Sequence, residues 1–286
     1  MPRALIVYFS QGGTTARVAE SIATGLRSAE YEVDLHNIVD GSPPDPAGYD
    51  LLGVGSPTYY YRPPFNVTDY VLGLPDLSGL PAFIFVLHGT YPGDTGNALR
   101  QALAGKGAQE VGYFRSCGAD VYLAYLREGY LFSPDHPTEE KLAQAEEFGG
   151  AVAARVTGEP YAKPASDPPM GAVYRFERFS LNRWFVEQFY SRLFRLDKAK
   201  CTACGLCIQE CPTGNIAADS EGYPAWGREC LACLFCEMNC PEEAVTSAAD
   251  WPLFLPFFKY NVRHASLDPA LDHVRVTHSQ GKIERL

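Results

Sequence analysis

The sequence has 286 residues, of which 46% are hydrophobic and 20% charged, a composition typical of one large or two modest globular domains. It contains no run of about 18 apolar residues, so we expect no transmembrane segment. The formal net charge is −10, which disfavours nucleic acid as a partner. The opening stretch MPRALIVYFSQGG has no small-residue cleavage site, so it predicts a first strand in a cytoplasmic protein rather than a secretion signal.

Strand-like and helix-like segments alternate over the first 160 residues. Apolar or alternating runs predict five strands, at 3–9, 31–38, 50–56, 81–89 and 109–118. Helical periodicity predicts helices at 14–28, 64–74, 95–107 and 137–156. The simplest fold for this alternation is an α/β domain whose five-stranded parallel sheet is covered by helices on both faces.

The loop after the first strand has the composition of an anion site. Residues 10–15 read SQGGTT, which places hydroxyl groups and paired glycines directly before a helix. Backbone N–H groups at a helix N-terminus favour an anion, and glycine permits close approach. The loop has no basic residue and matches neither G-x-x-x-x-G-K-[ST] nor G-x-G-x-x-G, which disfavours a nucleoside triphosphate or a dinucleotide. A simple turn with a helix cap is the alternative.

This loop resembles the phosphate loop of the flavodoxins, which holds the phosphate of FMN. The resemblance extends to SPTYYYRPP (56–64) and HGTYPGDTG (88–96), which follow apolar strands and match the loops that flank the flavin ring in that family. It implies an FMN site formed by Ser10, Gln11, Gly12, Gly13, Thr14, Thr15, Pro57, Thr58, Tyr59, Tyr60, His88, Gly89, Thr90, Tyr91 and Gly93. Tyr59 and Tyr91 are better candidates for stacking than Tyr61. Ordinary surface tyrosines and a strand-capping histidine remain alternatives.

The middle of the chain changes in composition. Residues 157–170 contain four prolines among small and polar residues, which predicts a linker. Phe185, Phe189, Leu193 and Leu196 then recur at roughly helical spacing within 174–196. The pattern predicts a helix that either docks on another domain or a partner, or packs its aromatic face on its own core.

Eight of the nine cysteines lie between residues 201 and 240, and only Cys117 lies elsewhere. They form two copies of C-x2-C-x2-C-x3-C-P, starting at Cys201 and Cys230. Such clustering indicates metal binding rather than a disulfide scaffold. Three thiolates at two-residue intervals can wrap a loop around one iron–sulfur cubane, which needs four thiolates, so the fourth must come from elsewhere. Two four-thiolate zinc sites are the competing interpretation, although zinc sites normally pair C-x2-C knuckles.

Residues 197–247 resemble the bacterial two-cluster ferredoxin domain along their whole length. In that arrangement the fourth cysteine of each motif binds the cluster of the other motif. The resemblance therefore implies two [4Fe–4S] clusters in a small α+β domain. Its first cluster would be bound by Cys201, Cys204, Cys207 and Cys240. Its second cluster would be bound by Cys230, Cys233, Cys236 and Cys211.

Together the two halves resemble the flavodoxin–ferredoxin fusion proteins, sometimes called ferrodoxins, over about residues 1–250. The domains we expect are a flavodoxin-like FMN-binding domain (1–160), a linker and docking helix (161–196), a 2[4Fe–4S] ferredoxin domain (197–250) and a C-terminal extension that packs on the others (251–286).

The resemblance implies an electron-transfer protein that passes electrons between the two clusters and FMN for an external redox partner protein. Two alternatives stay open: an FMN-dependent reductase of a small substrate fed by the clusters, and a non-catalytic subunit of a larger redox complex. An electron carrier is favoured over an enzyme. The sequence has no dinucleotide fingerprint, so we do not expect direct oxidation of NAD(P)H.

Overall fold

The computed structural model describes residues 1–167, 169–248 and 251–286. The chain divides into two compact units. The first comprises residues 1–119 and 135–178, and the second comprises residues 120–134 and 179–286.

The first unit is built on a five-stranded parallel sheet. Its strands are β1 (Arg3–Tyr8), β2 (Glu32–Asn37), β3 (Leu51–Pro57), β4 (Pro81–His88) and β5 (Gln109–Cys117). They are ordered β2-β1-β3-β4-β5, which is the flavodoxin-like order whose direction reverses between β1 and β3. β1, β3 and β4 are nearly continuous in buried residues, as expected for strands covered on both faces. The predicted fold class is confirmed.

Helices connect these strands and cover the sheet. The helices up to residue 156 are α1 (Thr14–Ser28), α2 (Phe65–Gly73), α3 (Thr95–Gly105), α4 (Leu123–Arg127) and α5 (Glu139–Val156). α1 and α5 bury Ile22, Leu26 and Val152 in one core with Phe83 and Phe85 of β4. α4 lies in the second unit together with the short strand β6 (Tyr130–Phe132), and the sequence pattern did not predict either element.

The start of the predicted linker is bound to the first unit. The buried carboxylate of Asp167 accepts a hydrogen bond from the hydroxyl of Tyr113 (2.7 Å) and pairs with Arg115 (2.6 Å). Its backbone N–H donates to Oδ1 of Asn97 in α3 (3.0 Å). Arg100 donates to the carbonyl oxygen of Pro164 (3.0 Å). Residues 164–167 are therefore tied to α3 and β5, and the unit ends with most of α6 (Ala172–Ser180).

The second unit consists of short elements. From residue 183 onward these are α7 (Arg183–Gln188), β7 (Arg195–Leu196), α8 (Leu206–Gln209), β8 (Ile216–Ala218), β9 (Pro224–Trp226), α9 (Phe235–Met238), β10 (Val245–Thr246), α10 (Leu255–Ser266), β11 (His273–Ser279) and β12 (Lys282–Arg285). β7 pairs with β10 and β8 with β9, both antiparallel. β11 pairs with both β12 and β6.

The single helix predicted over 174–196 differs from the structure. α6 ends at Ser180, and Asn182 starts α7 because its side chain accepts a hydrogen bond from the N–H of Phe185 (3.0 Å). A 3-10 turn follows α7, and Leu196 lies in β7. The N-cap at Asn182 thus starts a new helix, although the spacing of the apolar residues alone favours one continuous helix. Among the described residues, no helix is long and apolar enough to cross a membrane.

Replacing Asp167 with alanine should lower the free energy of unfolding by about 2 kcal/mol, because it leaves Tyr113 and Arg115 without their charged acceptor. Arg115 is partly exposed and regains water, so the loss stays below that of a fully buried pair. Urea unfolding followed by circular dichroism measures the change. The control is Glu147→Ala on the exposed face of α5. Equal stability of the two variants would contradict a structural role for Asp167.

Candidate functional site

The loop at residues 10–15 joins β1 to α1 and is held by a residue of β2. Asn37 accepts a hydrogen bond from the N–H of Ser10 (3.0 Å) and donates to its carbonyl oxygen (2.9 Å). The Ser10 hydroxyl oxygen accepts from the N–H of Ala16 (3.2 Å). Sequence reasoning missed Asn37, although its place at the end of the neighbouring strand would have indicated it.

The start of α1 suits an anion. Gly13 has φ +83°, a left-handed conformation that glycine adopts without steric cost. The first turn of the helix contains no acidic residue, so its N–H groups and the positive end of the helix dipole face no carboxylate within that turn. A Cβ atom built on Gly12 or Gly13 would meet open space. The loop fits a phosphate group.

The loops after β3 and β4 lie at the same edge of the sheet as the first loop. The hydroxyl of Tyr59 donates to Oε1 of Gln11 (3.0 Å), and the Tyr59 ring packs edge-on against Phe9 (5.9 Å between centroids). Thr58 donates its backbone N–H to Leu87 (2.8 Å) and its hydroxyl to Thr95 (2.9 Å). The structure therefore brings the three predicted loops together.

His88 lies at the end of β4 at this edge. Burial and, to a lesser extent, the positive charge of Arg115 lower the pKa of His88 to about 4, so the imidazole is neutral at physiological pH. Its Nδ1 atom is buried and has no hydrogen-bond partner among the described residues. Buried ring nitrogens are normally paired, so this atom fits contact with a ligand.

The two cysteine motifs have the same backbone conformation. Ala203 and Ala232 have φ of 52° and 56°, and Gly205 and Leu234 have φ of 75° and 61°. A short helix, α8 or α9, follows in each case. The N–H groups of Ala203 and Ala232 donate to the sulfurs of Cys201 (3.4 Å) and Cys230 (3.3 Å). The sequence repeat is thus also a structural repeat, with two left-handed positions that curl each loop around its thiols.

The fourth cysteine of each motif lies beside the other motif. Cys201, Cys204, Cys207 and Cys240 line one cavity. Burial raises the pKa of Cys207 to about 11, with contributions from Cys204, Cys240 and Cys201 in that order. Burial also raises the pKa of Cys230 to about 12, with contributions from Cys233 and Cys211. Cys240 is therefore close to the first group and Cys211 to the second.

The thiols surround space rather than a point. In the part of the chain that the structure describes, no three His, Cys, Asp or Glu side chains converge as they would around one metal ion. Because burial raises the pKa of Cys207 and of Cys230, these two groups need nearby positive charge to exist as thiolates. The donor set therefore fits iron–sulfur clusters.

Two further residues lie beside the second cysteine group. Burial and, to a lesser extent, Cys233 hold the pKa of Cys236 well above its usual value, and the indole of Trp226 partly opposes this rise. The Trp226 ring stacks on Phe194 (5.5 Å, 2°). Glu237, which follows Cys236, is buried and pairs with Arg127 of α4 (2.7 Å). The sequence carries no signal for these contacts, because they join segments far apart in the chain.

Comparison with known proteins assigns families to both halves. Residues 5–129 match the Flavodoxin domain family, and residues 194–217 match the 4Fe-4S binding domain family. An uncharacterized protein of Methanocaldococcus jannaschii is 30% identical over 157 residues, which cover 52% of this chain and 97% of that protein. Pyruvate synthase subunit PorD of the same organism is 37% identical over 62 residues, or 21% of this chain and 72% of its own. A ferredoxin of Chlorobaculum thiosulfatiphilum is 38% identical over 52 residues, or 16% and 85%.

Proposed function

We propose that this chain, which belongs to the flavodoxin–ferredoxin fusion proteins, passes electrons between FMN and two [4Fe–4S] clusters for an external redox protein. Its two families support an electron-transfer role. The observation that supports the finer proposal is the combination in one chain of three converging loops and two matching cysteine loops, each of which has the fourth cysteine of the other nearby.

The first unit would hold FMN at the carboxyl edge of its sheet. The N–H groups and hydroxyls of residues 10–15 would bind the phosphate, with Ser10 held in place by Asn37. The loops that contain Tyr59 and Tyr91 would flank the ring, and the neutral imidazole of His88 would present Nδ1 to the ligand. Bound FMN supplies exchange of one or two electrons, and the chain supplies its position and surroundings.

The second unit would hold one cluster with Cys201, Cys204, Cys207 and Cys240 and the other with Cys230, Cys233, Cys236 and Cys211. Clusters of this type supply one-electron transfer. The N–H groups of Ala203, Ala232 and Ala244 donate to cysteine sulfurs, and such hydrogen bonds stabilise thiolate charge.

The charge around the cysteine motifs indicates the kind of partner. Residues 200–250 carry 2 basic and 8 acidic side chains, a net −6, whereas residues 161–199 carry 7 and 4, a net +3. An acidic surface favours encounter with a basic patch. The similar protein PorD is named as a subunit of pyruvate synthase. We therefore propose an oxidoreductase with a basic docking surface as the partner class.

One observation favours a second candidate, an FMN-dependent reductase of a small substrate. The buried Nδ1 of His88 has no partner among the described residues, so it suits a substrate held beside the flavin as well as the flavin itself. Turnover that needs a small oxidant and is lost in His88→Ala would favour the reductase. Electron transfer to a protein acceptor that survives His88→Ala would favour the carrier.

Exchange of the fourth cysteines is testable with two double variants. Cys204→Ser/Cys240→Ser changes two ligands of the same proposed cluster and should keep about half of the iron and sulfide. Cys233→Ser/Cys240→Ser changes one ligand of each cluster and should lose most of both. Iron and sulfide analysis of anaerobically purified protein measures the difference, with Cys117→Ser as the control. The reverse pattern would show that each motif binds its own cluster, and zinc in place of iron would end the cluster proposal.

The phosphate loop is tested by Gly13→Val. A β-branched residue is strained at φ +83°, so the loop should leave its anion-binding conformation and FMN affinity should fall roughly tenfold or more. Recovery of FMN fluorescence on dilution measures the affinity. Gly150→Ala is the control, because Gly150 also has open space around a built Cβ but lies within α5. Unchanged affinity in Gly13→Val would contradict the assignment of the loop.

The carrier function predicts the order of events in the holoprotein. Stopped-flow mixing with NADPH alone should leave the visible flavin absorbance unchanged. Photoreduction of the clusters under anaerobic conditions should be followed by bleaching of the flavin within the same molecule, at a rate independent of protein concentration. Rapid bleaching by NADPH, or a rate that rises in proportion to protein concentration, would overturn intramolecular transfer from the clusters.

A further inference from the structure

Helix α6 lies beyond the residues that match the flavodoxin family, yet it contacts two of the three loops of the proposed FMN site. The ring of Tyr174 packs on Tyr61, with centroids 4.8 Å apart and planes tilted by 37°. It also packs on Tyr91, at 5.3 Å and 36°. Tyr174 therefore joins the loop after β3 to the loop after β4.

Polar contacts fix the same helix on the same two loops. The hydroxyl of Tyr61 donates to Oε2 of Glu177 (3.2 Å). Arg178 pairs with Asp94 (2.8 Å), and its carbonyl oxygen accepts a hydrogen bond from Arg62 (3.1 Å). One turn of α6 is therefore anchored to both loops, and the Tyr174 ring has little freedom to leave them.

The two loops are also locked to each other. Tyr60 and Tyr61 are consecutive non-glycine residues with left-handed φ of 48° and 64°, a costly conformation that persists only where the surroundings enforce it. Gly93 has φ 59°, and a Cβ atom there would overlap the backbone of Tyr61. The N–H of Asp94 donates to the carbonyl oxygen of Tyr61 (2.9 Å). Two strained loops that are both held by a third element, here α6, are typical of a preorganised site.

We propose that Tyr174 is a positioning residue for the flavin, which holds the loops of Tyr61 and Tyr91 in the conformation that receives the ring and sets its surroundings. The proposal rests on the proposed binding of FMN. The flavodoxin family match ends at residue 129, so Tyr174 belongs to the segment between that match and the cysteine motifs.

If Tyr174 has this role, its removal should change both the affinity of the protein for FMN and the reduction potential of the bound flavin. Truncation of Tyr174 to alanine removes two aromatic contacts. The two loops are then less ordered before FMN binds, and the free energy of ordering them weakens binding. Loss of the electron-rich ring also admits water, which favours the charged, reduced flavin. We therefore expect weaker FMN binding, by roughly tenfold, and an FMN that is easier to reduce.

The experiment compares Tyr174→Ala, Tyr174→Phe and Phe179→Ala with the full-length holoprotein. Phe179 lies on the same helix, and its ring is 75% exposed, so it serves as the matched control. The FMN dissociation constant is measured by fluorescence, and the flavin potential by anaerobic titration with reference dyes. Only Tyr174→Ala should change both quantities. Tyr174→Phe keeps the ring and should restore them.

The outcomes separate this inference from the proposed function. Wild-type protein that binds no FMN would overturn both. Wild-type binding with an unchanged Tyr174→Ala would overturn the inference alone. A Tyr174→Ala variant with weaker binding but an unchanged potential would show that Tyr174 only stabilises the fold, and this too would overturn the inference.

Discussion

The proposed flavin site depends on one constraint, which is that all five strands of the sheet run in the same direction. Each crossover returns the chain to the same end of the sheet, so the loops that leave β1, β3 and β4 must all end at one edge. The reversal of strand order between β1 and β3 sends neighbouring connections to opposite faces and leaves a crevice between them. Gln11 and Tyr59, which are far apart in the chain, meet there through one hydrogen bond. Asn37 adds a contact from β2, so even the edge strand of the sheet contributes to holding the loop at residues 10–15.

The two cysteine motifs are subject to a different constraint, which is that one loop of chain supplies too few thiols for a four-thiolate site. A loop with cysteines two residues apart supplies three donors, and the chain must then move away at the proline. Duplication would solve this if, as proposed, each copy lends its last cysteine to the other. The structure has the features that such an exchange needs: Cys240 lies in the cavity of the first motif, and Cys211 lies near Cys230. Such an exchange would also make the two motifs interdependent, since each would lack its fourth thiolate without the other.

Regular patterns were predictable from the sequence, and contacts between distant segments were not. The five strands of the parallel sheet and helices α1, α2, α3 and α5 lie within about two residues of the prediction. Hydrophobic periodicity is a local signal, and so is a start signal such as Thr138, whose side chain caps α5. The continuous helix over 174–196 failed because Asn182 caps a new helix, and a cap competes with periodicity. β6 and β11 escaped prediction because each is stabilised by the other across more than a hundred residues of chain. Tyr174 and Trp226 carry no motif, so only the folded chain shows what they contact.

The proline-rich segment that precedes the cysteine motifs has more structure than its prolines suggest. This bears on why one chain carries both a flavodoxin-like and a ferredoxin-like part. Electron transfer within a chain depends on an effective concentration that the connecting segment sets. A free proline-rich linker would give that segment considerable reach. Here Asp167 is held by Tyr113 and Arg115, and α6 is held by Asp94 and Tyr61. Most of the connection therefore belongs to the first unit, and its last helix contacts the loops proposed to flank the flavin. A change in the proposed flavin site that moves Tyr61 or Tyr91 must also act on α6, because Tyr174 packs on both rings.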